Sequence, residues 1–261
     1  MRQRPKRFIQ PCSDQLKNWL NELHRRQVTY MISGSDPEYV DHIATVSLGS
    51  QWRSYFDFIV CGAKKPSFWF GQRPFIQTIL HSNESPGQEI PLDEFLKPQR
   101  LMPDGVYVAG NWHQLWLSMA HYTDKKRPKC LYFGDHLIQD VLAVDRYANV
   151  DAVAVVEELS AEGTGCHEHP PHPHADFLNS KLWGSFFYHD GHPWCSADGV
   201  SGPSRINTLW ASIIRDHARM AVPDLETLSR YPPAHHLQPL NLWSVDSKFV
   251  GFFPADPLSL Q

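Results

Sequence analysis

The segment Cys130–Leu142 reads CLYFGDHLIQDVL: a short apolar run, then Gly134-Asp135-His136, then a second acid, Asp140, about one helical turn on. Two carboxylates at the exit of an apolar strand offer the hard oxygen ligands that Mg²⁺ prefers. Two earlier apolar runs also end in polar residues. VTYMIS ends at Ser33-Gly34-Ser35-Asp36, and FDFIVCGA ends at Lys64-Lys65-Pro66. A hydroxyl and backbone N–H groups can donate to phosphate oxygens, and a lysine neutralises phosphate as a point cation. In an open α/β sheet ligands bind beyond the carboxyl ends of the strands. Collected at one such edge, these residues make a phosphate-and-divalent-cation site.

The elements that must position them alternate along the chain. Ser13-Asp14 opens a helix whose apolar residues Leu16, Trp19, Leu20 and Leu23 recur at three- and four-residue spacing. A strand is expected over Val28–Ser33. Asp36-Pro37 then reads as an N-cap with proline at the first helical position, predicting a helix over Glu38–Leu48. Phe56–Ala63 reads as the next strand, 71–104 as irregular polar loop, and Val106–Gly110 as a strand followed by an Asn111-capped helix, WHQLWLSMAHY. CLYFGD, LIQDVLAVDRY and VDAVAVVEEL complete the series as strand, helix and last strand. Strands this continuously apolar, alternating with helices, predict an α/β fold with a parallel sheet covered on both faces. Trp112 and Trp116, four apart on one helix, read as core residues.

The character changes after Leu159. Residues 1–160 are expected to form an α/β core, and residues 161–261 a His/Pro-rich linker and an irregular C-terminal extension with one helix over Ile206–Met220. The stretch 166–174, CHEHPPHPH, holds four imidazoles and a thiol of the kind zinc takes. Its prolines hinder convergence on one ion, so it reads as a surface loop.

Composition narrows the classes. The chain has 261 residues, 42% of them hydrophobic, and a net charge of −4 with mixed signs, which announces neither a nucleic-acid nor a membrane partner. No apolar run approaches the roughly 20 residues that span a bilayer. The basic start, MRQRPKRFIQ, has no signal-peptide core. Five scattered cysteines read as reduced thiols of a cytoplasmic protein. Homo-oligomerisation is left open.

In order, TYMISGSDPEYVDHI, WRSYFDFIVCGAKKPSFW and CLYFGDHLIQDVL resemble motifs II, III and IV of the haloacid dehalogenase-like phosphohydrolases, and within them the cytosolic purine 5′-nucleotidase family. The likeness covers roughly residues 14–160. It implies a Rossmann-like parallel sheet and Mg²⁺-dependent hydrolysis of a phosphomonoester, in this family a nucleoside monophosphate. It also implies roles. Ser33 and Gly34 would bind the transferring phosphate, Lys65 before Pro66 would stabilise phosphate and nucleophile, Asp135 would bind Mg²⁺, and Asp140 would support the metal indirectly. The implied nucleophile belongs to an Asp-x-Asp motif on a first strand, and no two aspartates in this chain stand one residue apart. The resemblance therefore implies the C-terminal portion of a longer enzyme, lacking the motif I strand and inactive alone. The alternative is a non-catalytic binding protein that keeps the phosphate pocket.

Overall fold

The computed structural model describes residues 5–78, 88–89, 101–161, 186–190, 205–235 and 237. The chain divides into two compact units, one of Met1–Cys130 with Ser229–His235, the other of Leu131–Leu228 with His236–Gln261.

In the first unit α1 spans Asp14–Arg26, and Ser13 caps it by accepting from the Leu16 N–H. Strand β1 is Tyr30–Ile32, helix α2 is Pro37–Leu48, and β2 is Phe58–Cys61. The short helix α3, Ser67–Phe70, leads to β3, Phe75–Thr78, and β4, Gln88–Glu89. Strand β5 is Gly105–Ala109, and α4 is Trp112–Tyr122, capped by Asn111 through the Gln114 N–H at 3.0 Å. The sheet order is β1-β2-β5-β3-β4. The first three strands are parallel, with Ile32 opposite Val60 and Cys61 opposite Val108. The other two are antiparallel.

The stretch 71–104 is thus not all loop, as its polarity suggested. Phe75–Thr78 pairs with β5 and Gln88–Glu89 with β3. Phe75 is fully buried, and its ring occupies the space where a Cβ on Gly110 would stand, 2.0 Å from the nearest ring atom. Gly110 also has φ +76, which a side chain would strain.

All four residues of β2 are buried, as a strand covered on both faces requires. Ile59 and Cys61 pack with Val40 and Ala44 of α2, Trp52 and Val106. On the opposite side Phe58 meets Tyr122 of α4 edge-on, and Trp112 lies against Tyr30 and Trp69. Trp112 is therefore a core residue, 5% exposed. Burial, with the Asp36 carboxylate adding, pushes the Cys61 thiol up to about 12. It stays protonated and inaccessible, which excludes it as a nucleophile.

At the amino end of β2 a buried polar knot joins α1 to the sheet. Asp57 accepts from the Thr29 N–H at 2.7 Å and from the Thr29 hydroxyl at 3.3 Å, and His24 Nδ1 lies 3.4 Å away. Asp57→Ala leaves the Thr29 N–H without its acceptor, while the Thr29 hydroxyl keeps Tyr55 O at 2.6 Å. It should cost about 1–3 kcal/mol of stability in urea unfolding, whereas substitution of the exposed Glu38 should cost little.

The second unit carries β6, Leu131–Gly134, then wide helical turns with π-type hydrogen bonding over Leu137–Leu142 and Val144–Ala148, then β7, Asp151–Val155. Asn149, in the left-handed region at φ 51, ends the helical run. Two strands, β8 (Tyr188–Asp190) and β9 (Arg205–Asn207), form an antiparallel pair. The expected helix over Ile206–Met220 is Leu209–His217, capped by Thr208. Met220–Val222 is not its end but a further strand, β10. The sheet order is β10-β7-β6, all parallel, so VDAVAVVEEL is not the last strand of the series. The described strands make separate sheets rather than one, with β1 at the end of the first and β6 at the end of the second. No helix among the described residues is long and apolar enough to cross a membrane.

Candidate functional site

Parallel pairing of β1 with β2 brings their carboxyl ends side by side, and hydrogen bonding continues beyond the strands. The Ser33 N–H donates to Val60 O at 2.8 Å, the Ala63 N–H to Ser33 O at 2.9 Å, and the Gly62 N–H to Ser35 O at 2.8 Å. Ser33 Oγ accepts from the Ser35 N–H at 3.2 Å, closing a tight turn. Gly34 is exposed, and a Cβ there would make only ordinary contact with Ala63 O at 3.5 Å. Close packing is therefore not what places a glycine at this position.

The turn after β2 treats its two lysines differently. Lys64 is exposed, and its carbonyl accepts from the Phe68 N–H and the Ser67 hydroxyl to start α3. Lys65 is half-buried and precedes a cis peptide bond to Pro66. Ser33, Gly34 and Lys65 thus sit on two cross-tied loops at one edge of the first unit's sheet.

The carboxylates belong to the second unit. Asp135 leaves β6 exposed to solvent, while Asp140 is 1% exposed. Asp140 Oδ1 accepts from the Tyr132 hydroxyl at 3.3 Å, and Oδ2 lies 3.4 Å from the His136 N–H. The Asp140 N–H in turn donates to His136 O at 2.7 Å. His136 Nδ1 accepts from the Gln139 N–H at 3.3 Å, so the imidazole caps the helical run. The buried Asp140 carboxylate in this way holds the backbone after Asp135, at His136, and the Tyr132 side chain before it.

Gly134 makes the arrangement sterically possible. A Cβ there would lie 2.2 Å from the Asp140 Cβ and 2.8 Å from its Cγ. Tyr132 was not singled out from the sequence. The available signal was its spacing, since residues two apart on a strand share a face, and Tyr132 and Gly134 both meet Asp140.

Among the described residues no group of three or more His, Cys, Asp or Glu side chains could hold a metal ion. Mg²⁺ keeps several waters and uses one or two carboxylates with substrate phosphate, so of the two acids it is the exposed Asp135 that could serve as a ligand. The His-rich stretch 166–174 lies outside the described residues.

These motifs fall within a recognised family. The chain belongs to the 5′ nucleotidase family, whose model matches residues 1–181. It is similar to 5′-nucleotidase domain-containing protein 1 of Homo sapiens, at 28% identity over 280 residues, covering 98% of this chain and 57% of that protein. The Bos taurus protein of the same name is 27% identical over 277 residues, covering 98% and 56%. The human 5′-nucleotidase domain-containing protein 2 is 27% identical over 139 residues, 53% of this chain. The chain spans a little over half the length of the first two of these relatives.

Proposed function

We propose that this chain supplies the phosphate-binding and metal-binding parts of a Mg²⁺-dependent, 5′-nucleotidase-like phosphohydrolase of the haloacid dehalogenase type. Its substrate would be a nucleoside monophosphate or a related phosphomonoester. The observation that carries this reading is the parallel pairing of β1 and β2, which sets the Ser33 turn beside the Lys65 turn at the carboxyl edge of the sheet. Membership of the 5′ nucleotidase family supports it, and the matched region contains Ser33, Gly34, Lys65, Asp135 and Asp140.

In this reading the Ser33 hydroxyl and neighbouring backbone N–H groups donate to phosphate oxygens. The Lys65 ammonium balances charge on the transferring group. Asp135 would hold Mg²⁺, which when bound neutralises phosphate charge as a Lewis acid. Asp140, committed to Tyr132 and the His136 N–H, would orient the Asp135 turn rather than touch the metal. The attacking carboxylate would come from outside these 261 residues, because the chain holds no Asp-x-Asp pair.

Phosphate release from a panel of nucleoside monophosphates tests the reading. The 261-residue chain should release none, and a version extended with an Asp-x-Asp strand should turn over. Release by the shorter chain that is lost on Asp135→Asn would overturn the assignment of the nucleophile. The absent Asp-x-Asp pair also favours a second reading, a non-catalytic protein that binds a phosphorylated small molecule. In that case nucleoside monophosphates would bind, measured by calorimetry, and no extended form would hydrolyse them.

A further inference from the structure

Between α4 and β6 the chain reads Lys125-Lys126-Arg127-Pro128-Lys129, four cations in five residues of a protein whose net charge is −4. All four cationic residues are exposed. Among the described residues no carboxylate pairs with any of them, the adjacent Asp124 included. Elsewhere surface cations do find acids: Arg25 and Arg26 reach Glu22, Arg53 reaches Asp41, and Arg219 reaches Asp151.

The backbone of the tract is open as well. It is anchored near its ends, by the Lys125 N–H donating to Ala120 O at 3.0 Å and by Trp116 Nε1 donating to Pro128 O at 3.3 Å. The N–H groups of Lys126, Arg127 and Lys129 donate to no described backbone carbonyl. The segment is a bend followed by chain without regular structure, so no helix or strand must be broken for it to straighten. Pro128 disfavours the helical region for Arg127.

We infer that Lys125–Lys129 is a docking segment for a protein that reads a short, extended lysine/arginine peptide in an acidic groove, the recognition used for nuclear import. Unpaired cations supply the charge complement, and unengaged backbone donors supply the main-chain contacts such a groove makes. A nucleic acid fits less well. Its affinity grows with each phosphate neutralised across a basic face, and these four cations lie on one short loop of a chain whose net charge is −4. An anionic membrane requires a second anchor beside the charges, and the tract itself supplies charge alone.

The test uses the whole chain and its Lys126→Ala/Arg127→Ala variant, with equal thermal melts as the control for folding. Binding of a purified nuclear-import adaptor is followed by fluorescence anisotropy at physiological salt. A single-stranded RNA and phosphatidylserine-rich vesicles are run in parallel. The expected result is adaptor binding that a lysine-rich peptide displaces and that the double substitution weakens about tenfold or more. No adaptor binding, or binding unchanged in the variant, overturns the inference. Capture of RNA or vesicles that depends on the tract would then name the ligand that replaces it.

Discussion

Asp135→Asn, made in a form of the protein that carries an Asp-x-Asp strand, is expected to lower phosphate release by about 10³-fold while leaving stability within about 0.5 kcal/mol of the parent. The two halves of this expectation have one cause. Asp135 is exposed and no described residue hydrogen-bonds its carboxylate, so the fold does not use it. In the proposed site its value would be as an oxygen ligand of full negative charge, which the amide cannot replace. The Mg²⁺ concentration needed for half-maximal rate should rise in the variant. Lys65→Ala should cost about 10²–10³-fold, with no change in the metal requirement, because in the proposed site the ammonium would act on phosphate charge. Steady-state assays across a Mg²⁺ series separate the two. An Asp135→Asn enzyme with parental kcat would remove Asp135 from the site.

Gly134→Ala should be among the most destabilising single substitutions in the second unit, by about 3 kcal/mol or more in urea unfolding. The added methyl would meet the Asp140 Cβ at 2.2 Å. Both atoms are fixed to backbone, one in a strand and one in a helical run, so no rotamer change relieves the overlap. Asp140→Ala keeps that Cβ and should not rescue Gly134→Ala. Asp140→Gly removes it and should recover part of the loss, a coupling that a double-mutant cycle measures. Gly34→Ala is the contrasting case. Its Cβ would find ordinary contact at 3.5 Å, and the change should be nearly neutral for stability. Equal costs at the two glycines would contradict this steric account.

Local rules alone were enough for much of the scaffold. The caps Ser13 and Asn111 and the proline at the start of α2 act on near neighbours in the chain, and β1, β2, β5, β6 and β7 each show in sequence as a short apolar run. The candidate residues were legible for the same reason. Ser33, Lys65 and Asp135 stand where apolar runs end, and a strand end shows in sequence as a change from apolar to polar. The preference for Lys65 over Lys64 came from family likeness, since a Lys-Lys pair does not say which ammonium faces inward.

What local rules missed is held by distant partners. Phe75–Thr78 and Met220–Val222 are strands because β5 and β7 accept them into their ladders, and short apolar stretches alone do not reveal that pairing. The same 137–148 periodicity that predicts an α-helix also suits the wider π-type turns. By itself the sequence determined an alternating α/β chain of the 5′ nucleotidase family, with polar residues at the strand exits. Only the tertiary structure decided that Asp140 would be buried beneath Gly134 and bound by Tyr132 while Asp135 stays open to solvent, because steric exclusion and hydrogen-bond capture depend on side chains meeting in space.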